Sequence, residues 1–139
     1  MYKKTDGLPH VMQVHGQSLA NAQALPQNAS ADGNEGPLKV GGALGAFEVL
    51  VRVNAAITVA DTKALTVKIQ HRDGSDAFAD LATVYTLTAA AGSGSLAKGK
   101  ELARFALPST VKEEIKAVIT TTDAAAAGKI DVLPVYLPR

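Results

Sequence analysis

The chain has 139 residues with no cysteine and no tryptophan, and 14 basic against 13 acidic residues leave a formal net charge of +1. That length suits one domain, since single cores are commonest at roughly 100 to 150 residues. The charges are scattered rather than blocked, which excludes a nucleic-acid or membrane partner selected by bulk charge, and the missing thiols exclude disulfides, zinc–thiolate centres and cysteine nucleophiles.

Residues 1–36 read as an N-terminal arm or a set of loops pinned to a neighbour. Gly7, Pro9, Gly16, Pro26, Gly33 and Gly36 interrupt every periodicity, and polar residues fill the gaps. Such a segment cannot bury enough by itself to offset its ordering entropy. Only His10–Val14 predicts a short strand there. Ser18-Leu-Ala-Asn-Ala-Gln-Ala-Leu25 carries good helix formers behind a Ser cap and ends at Pro26, which predicts a helical turn. The start, Met1-Tyr-Lys-Lys-Thr-Asp-Gly7, has no apolar run behind its basic pair. No stretch approaches the ~18 apolar residues of a membrane span either, so the expectation is a soluble chain without a cleaved signal.

From residue 37 to 139 the punctuation becomes regular. Phe47-Glu-Val49-Leu-Val51-Arg-Val53-Asn alternates strictly, and Leu65-Thr-Val67-Lys-Ile69-Gln repeats the pattern. Side chains on a strand alternate faces, so each run predicts one apolar sheet face. Strands are predicted at 38–40, 46–54, 64–70, 82–88, 101–107, 114–121 and 130–136. Turn chemistry separates them, at Gly41-Gly42, Asp61-Thr62, Asp73-Gly74, Gly92-Ser-Gly94, Pro108-Ser-Thr110 and 123–128. The segment 111–118 has helix formers, but Ile115, Ala117 and Ile119 alternate into Thr120-Thr121-Thr122, which predicts a strand. About eight short, evenly spaced strands indicate an all-β, jelly-roll-like antiparallel sandwich. Pro134 lacks an N–H for the ladder, so the last strand is expected at an edge or interrupted there. Much of the 47% apolar fraction is alanine and only 4% of the chain is aromatic, which predicts a thin core that gains from association.

No motif supplies reaction chemistry. Gly94-Ser-Leu-Ala-Lys-Gly99-Lys100 has the glycine and lysine spacing of a phosphate loop, but Glu101 stands where Ser or Thr must hold Mg²⁺, and a strand follows in place of a helix. Gly16-Gln-Ser18 has no Asp-x-x-His partner and no Gly-x-Ser-x-Gly elbow, so Ser18 reads as a cap. His10, His15 and His71 lie in separate segments. Asp73, Asp76 and Asp80 lack a full calcium loop and read as turn and surface positions around Phe78. Asn28-Ala-Ser30 matches a glycosylation acceptor without other signs of secretion. Dispersed aromatics argue against single-stranded nucleic acid and against a glycan face. The expectation is therefore no enzyme, with no catalytic, cofactor-binding or metal-ligating residues and no cofactor.

Several pieces stand in an order similar to that of one family. These are Ser18–Leu25, Phe47–Val53, Ala64–Gln70, the Ser75-Asp-Ala-Phe-Ala-Asp80 turn, and Ala126-Ala-Gly-Lys-Ile130 before the last strand. In this the chain resembles the small capsid cement, or decoration, proteins of tailed bacteriophages, particularly the type found in a short-tailed Bordetella phage. The resemblance implies a jelly-roll-like sandwich on the outer surface of the virion, bridging neighbouring subunits of the major capsid protein. It also implies a homo-oligomer, here expected as a dimer first and a trimer second, assembled in the host cytoplasm. A receptor- or glycan-binding β-module on a virion or cell surface is the alternative.

Overall fold

The computed structural model describes residues 2–5, 8–13, 18–40, 47–108 and 110–136. Among them the chain is all-β and forms twelve strands: β1 (Tyr2–Thr5), β2 (Leu8–Gln13), β3 (Ala20–Ala24), β4 (Ser30–Asp32), β5 (Leu38–Lys39), β6 (Phe47–Thr58), β7 (Ala64–Arg72), β8 (Ala79–Thr88), β9 (Ser95–Leu96), β10 (Glu101–Ala106), β11 (Glu114–Thr121) and β12 (Ala127–Tyr136). They build two antiparallel sheets that face each other as a β-sandwich. The first sheet runs β1-β2-β12-β6-β10, with β3 also on β12 and β9 on β6. The second runs β4-β11-β7-β8, with β5 also on β11.

The alternating runs set the core. Val49, Val51 and Val53 on β6 and Ile130 and Val132 on β12 turn inward from the first sheet, against Leu65, Val67, Ile69, Ile115, Ala117 and Ile119 of the second; all are buried. The core is not the alanine-rich one expected. Among the described residues Ala20, Ala89, Ala117 and Ala126 are its alanines and Val, Ile and Leu make up the rest. Most other alanines sit at edges and in turns, where they add little apolar burial.

One expectation is corrected. Ser18–Leu25 forms no helical turn, and Ser18 caps nothing: residues 20–24 are the strand β3, because Leu19, Ala20 and Leu25 gain more from the inter-sheet core than Ala and Gln gain from helix propensity. Leu19 N–H donates to Val132 O at 2.8 Å and Gly33 N–H to Ala117 O at 2.9 Å, so residues 19–33 are stitched to both sheets. Of the two alternatives expected for the last strand, the interruption is the one seen: β12 is central, lying between β6 and the β2 and β3 strands, and its second ladder breaks at Pro134. Pro134 is tolerated because the second partner changes there: β3 pairs as far as Val132, and β2 begins at Val135. His10 falls on β2, while Val14, His15 and Gly41-Gly42 lie outside the described residues.

Candidate functional site

The polar side chains are spent chiefly on holding strands and loops together. Asp131 interrupts the apolar run 130–135 and its side chain is almost fully buried, on the outward side of the first sheet opposite Arg52. Two residues of β3, Asn21 and Ala22, stand opposite this one residue of β12, which is a β-bulge. The Asp131 carboxylate accepts Ala22 N–H at 2.7 Å, Arg52 Nε at 3.2 Å and Asn54 Nδ2 at 3.2 Å. It therefore joins β3, β6 and β12 through one buried charge that is both paired and hydrogen-bonded.

A second carboxylate gathers the loops at one end of the sandwich. Asp123 accepts Ala60 N–H and Ala125 N–H, each at 2.8 Å, while its main-chain carbonyl takes Asn28 N–H at 3.0 Å. The Ala60 bond, then the Ala125 bond, hold its carboxyl below the usual carboxylate range because both favour the ionised form. Thr121 Oγ1 donates to Pro26 O beside it. At the β3–β4 corner, Gln23 donates to Asp32 O at 3.0 Å and accepts Asn34 N–H at 2.7 Å.

The solvent side of the second sheet carries the remaining clusters. Phe78 sits beneath two cations, with Arg72 Cζ 4.3 Å and Lys116 Nζ 4.6 Å from its ring centre. Arg72 pairs with Glu114 at 3.3 Å and Lys116 with Asp32 at 3.0 Å. Asp80 accepts Gln70 Nε2 at 2.8 Å and Lys68 Nζ at 3.2 Å, which lower its pKa in that order. Farther along, Ser30, Thr120, Thr66 and Thr86 stand in one cross-strand row, one hydroxyl from each of β4, β11, β7 and β8, and Ser30 and Thr120 share a 2.7 Å hydrogen bond.

Among the described residues, those singled out in the sequence do not converge. The segment after Gly94 enters β9 and then a turn, where Gly99 N–H is taken by Val53 O at 2.8 Å, and Glu101 opens β10 paired with Arg104. These amides are engaged with the main chain and no helix follows, so the phosphate-loop geometry is not formed. His71 Nδ1 accepts Lys112 N–H at 3.3 Å, and Asp73 accepts Glu113 N–H at 3.0 Å in its Asp-Gly turn. Asn28 is exposed in a bend with φ 49°. Among the described residues no three His, Asp or Glu gather as metal ligands, and no helix is long and apolar enough to cross a membrane. Asp123 and Asp131 were missed in the sequence, although a lone Asp inside the apolar run Ile130–Val135 is a signal that a buried partner exists.

Neither a protein-family model nor a curated protein matches the chain.

Proposed function

We propose that this chain is a structural surface protein, not an enzyme, which binds the outer face of a tailed-phage capsid lattice and bridges neighbouring subunits of the major capsid protein. One observation carries the reading. The buried carboxylates Asp131 and Asp123 are committed to strand and loop contacts, which leaves broad sheet faces as the means of action. The strand order adds support for the jelly-roll form. In order β3-β12-β6-β10 faces β4-β11-β7-β8, and among these eight strands the chain changes sheet at every step but β7–β8, a hairpin within one sheet. A broad shallow face attaches well when copies are linked, because each further contact becomes intramolecular.

Co-sedimentation of the purified chain with undecorated capsid shells tests the proposal. Saturable binding at a fixed ratio to the capsid subunit, with shells made more resistant to heat, is expected. Shells that pellet bare at micromolar chain would overturn it.

The receptor- or glycan-binding reading is favoured by one feature, the uncharged hydroxyl row Ser30–Thr120–Thr66–Thr86, since hydroxyls both donate to and accept from sugars. Thr→Val exchange at Thr66 and Thr86 keeps shape and strand preference while removing the hydroxyls. Glycan-array binding that disappears in this variant would support it, and an array without signal would remove it.

A further inference from the structure

The dipeptide Asp-Gly occurs at 6–7, 32–33 and 73–74, and the last two lie within the described residues. A glycine after aspartate leaves its amide nitrogen unshielded by any side chain, so that nitrogen can attack the neighbouring carboxyl and close a small ring. Closure needs a backbone free to turn and an amide that is not already engaged. The two sites differ in both respects.

At 32–33 the chain is locked. Gly33 N–H donates to Ala117 O at 2.9 Å, and a Cβ there would stand 1.9 Å from Leu19 O, so the nitrogen is occupied and main chain presses on the glycine. Asp32 is held as well: its carbonyl accepts Gln23 Nε2 at 3.0 Å and its carboxylate accepts Lys116 Nζ at 3.0 Å. Ring closure here requires the crossing between the sheets to open.

At 73–74 the chain is exposed and turns after β7. Gly74 has φ 53° with nothing within 4 Å of the place a Cβ would take, and its N–H has no hydrogen-bond partner among the described residues. Two bonds hold Asp73: Oδ1 accepts Glu113 N–H at 3.0 Å, and its carbonyl accepts Asp76 N–H at 3.0 Å. Both lie at the surface, where water replaces them at small cost.

We propose that Asp73 is a site of spontaneous covalent change, converting to isoaspartate through a succinimide shared with Gly74. In the first step Gly74 N bonds to Asp73 Cγ while a Cγ–O bond breaks, and the oxygen leaves as water with the amide proton and one proton from solvent. In the second, water adds to the ring and splits the bond from nitrogen to one of the two carbonyl carbons. Cleavage at Cγ restores aspartate, and cleavage at the main-chain carbon leaves isoaspartate with no net change of mass. Isoaspartate routes the main chain through Cγ, so the groups that accept Glu113 N–H and Asp76 N–H exchange roles and the turn lengthens by one carbon. The segment before β11 then loses its Asp73 anchor and keeps the bond from Lys112 N–H to His71 Nδ1 at 3.3 Å.

Peptide mapping of the folded chain, held for weeks in warm, mildly acid buffer, tests this with a protease that cuts before aspartate but not before isoaspartate. Isoaspartate is expected at residue 73 and should exceed that at residue 32 by roughly tenfold or more, the factor that one buried hydrogen bond is worth. In urea the two sites should converge, and Asp73→Glu, which would need a larger ring, should stay unchanged at that position. Hydrogen exchange of the aged fraction should show the Glu113 amide quickened. Equal levels at 32 and 73 in the folded chain, or a residue 73 that stays aspartate, overturns the proposal. A gap that persists in urea assigns the difference to sequence rather than to the fold and overturns it too, while a Glu113 amide no faster in the aged fraction overturns the loss of its anchor.

Discussion

The carboxylate of Asp131 receives the main-chain N–H of Ala22 at 2.7 Å, and Ala22 is held at φ 47° in the bulge of β3. An alanine in the left-handed region costs ~1–2 kcal/mol relative to its right-handed state, so the bulge persists because a buried acceptor on the neighbouring strand rewards it. Asp131→Ala removes that acceptor and leaves Ala22 N–H, Arg52 and Asn54 short of a partner at once. Arg52 is part-exposed and recovers some hydration, so a loss of about 2–3 kcal/mol in urea unfolding is expected. A loss under ~0.5 kcal/mol would mean the bond is dispensable.

Ala22 itself provides the converse test. Ala22→Gly relieves the left-handed backbone but adds unfolded-state entropy, and the exposed methyl group contributes no packing. A small gain of about 0.5 kcal/mol is expected, whereas Ala22→Val, β-branched in the same conformation, should lose ~1 kcal/mol or more. Paired denaturation curves decide between them.

Gly33 is required for space rather than for backbone freedom. A Cβ there would lie 1.9 Å from Leu19 O, a main-chain atom that cannot swing aside. Gly33→Ala should therefore force the β3–β4 crossing apart and cost about 3 kcal/mol, read as a lowered thermal midpoint. Gly36→Ala, at φ 73° with nothing within 4 Å, should cost ~1 kcal/mol from the backbone alone. Equal losses at the two positions would contradict this account.

Acid should loosen the loop end first. The Asp123 carboxyl titrates below its unfolded value of about 3.9 because two N–H groups hold the ionised form. A depressed carboxyl contributes stability that is complete above the unfolded pKa and is lost as pH falls through the folded one. The thermal midpoint is expected to drop below pH ~4, and Asp123→Asn should flatten that limb while lowering stability at neutral pH. An acid limb identical in the variant would assign the effect to another carboxylate.

The two-residue alternation made the sheets legible in advance. Val49-Val51-Val53, Leu65-Val67-Ile69 and Ile115-Ala117-Ile119 point inward as their spacing requires. Period two survives in sequence whenever one face is buried and the other wet. What stayed illegible depends on contacts far along the chain. Ser18–Leu25 has helical composition, and only the distant partners Val132 and Ile130 make it a strand. The pair Ser95–Leu96 is too short to carry a period, and β6 runs on through Ala55 and Ala56 because β12 and β9 continue beside it. Gln23, Asn34 and Asp123 look in sequence like ordinary surface polar residues, and the partners of Asp131, hinted at by its apolar surroundings, lie up to 109 positions away.

The placement of β12 at the heart of the first sheet also sets an order of events during synthesis. β6 is made roughly seventy residues before the strand that must lie against it, so the first sheet cannot zip shut until β12 has been translated. Until then the inward valines of β6 depend on chaperones or on a temporary neighbour to stay out of aggregates. A ribosome stalled before Ala127 should release a chain that precipitates rather than one that folds halfway.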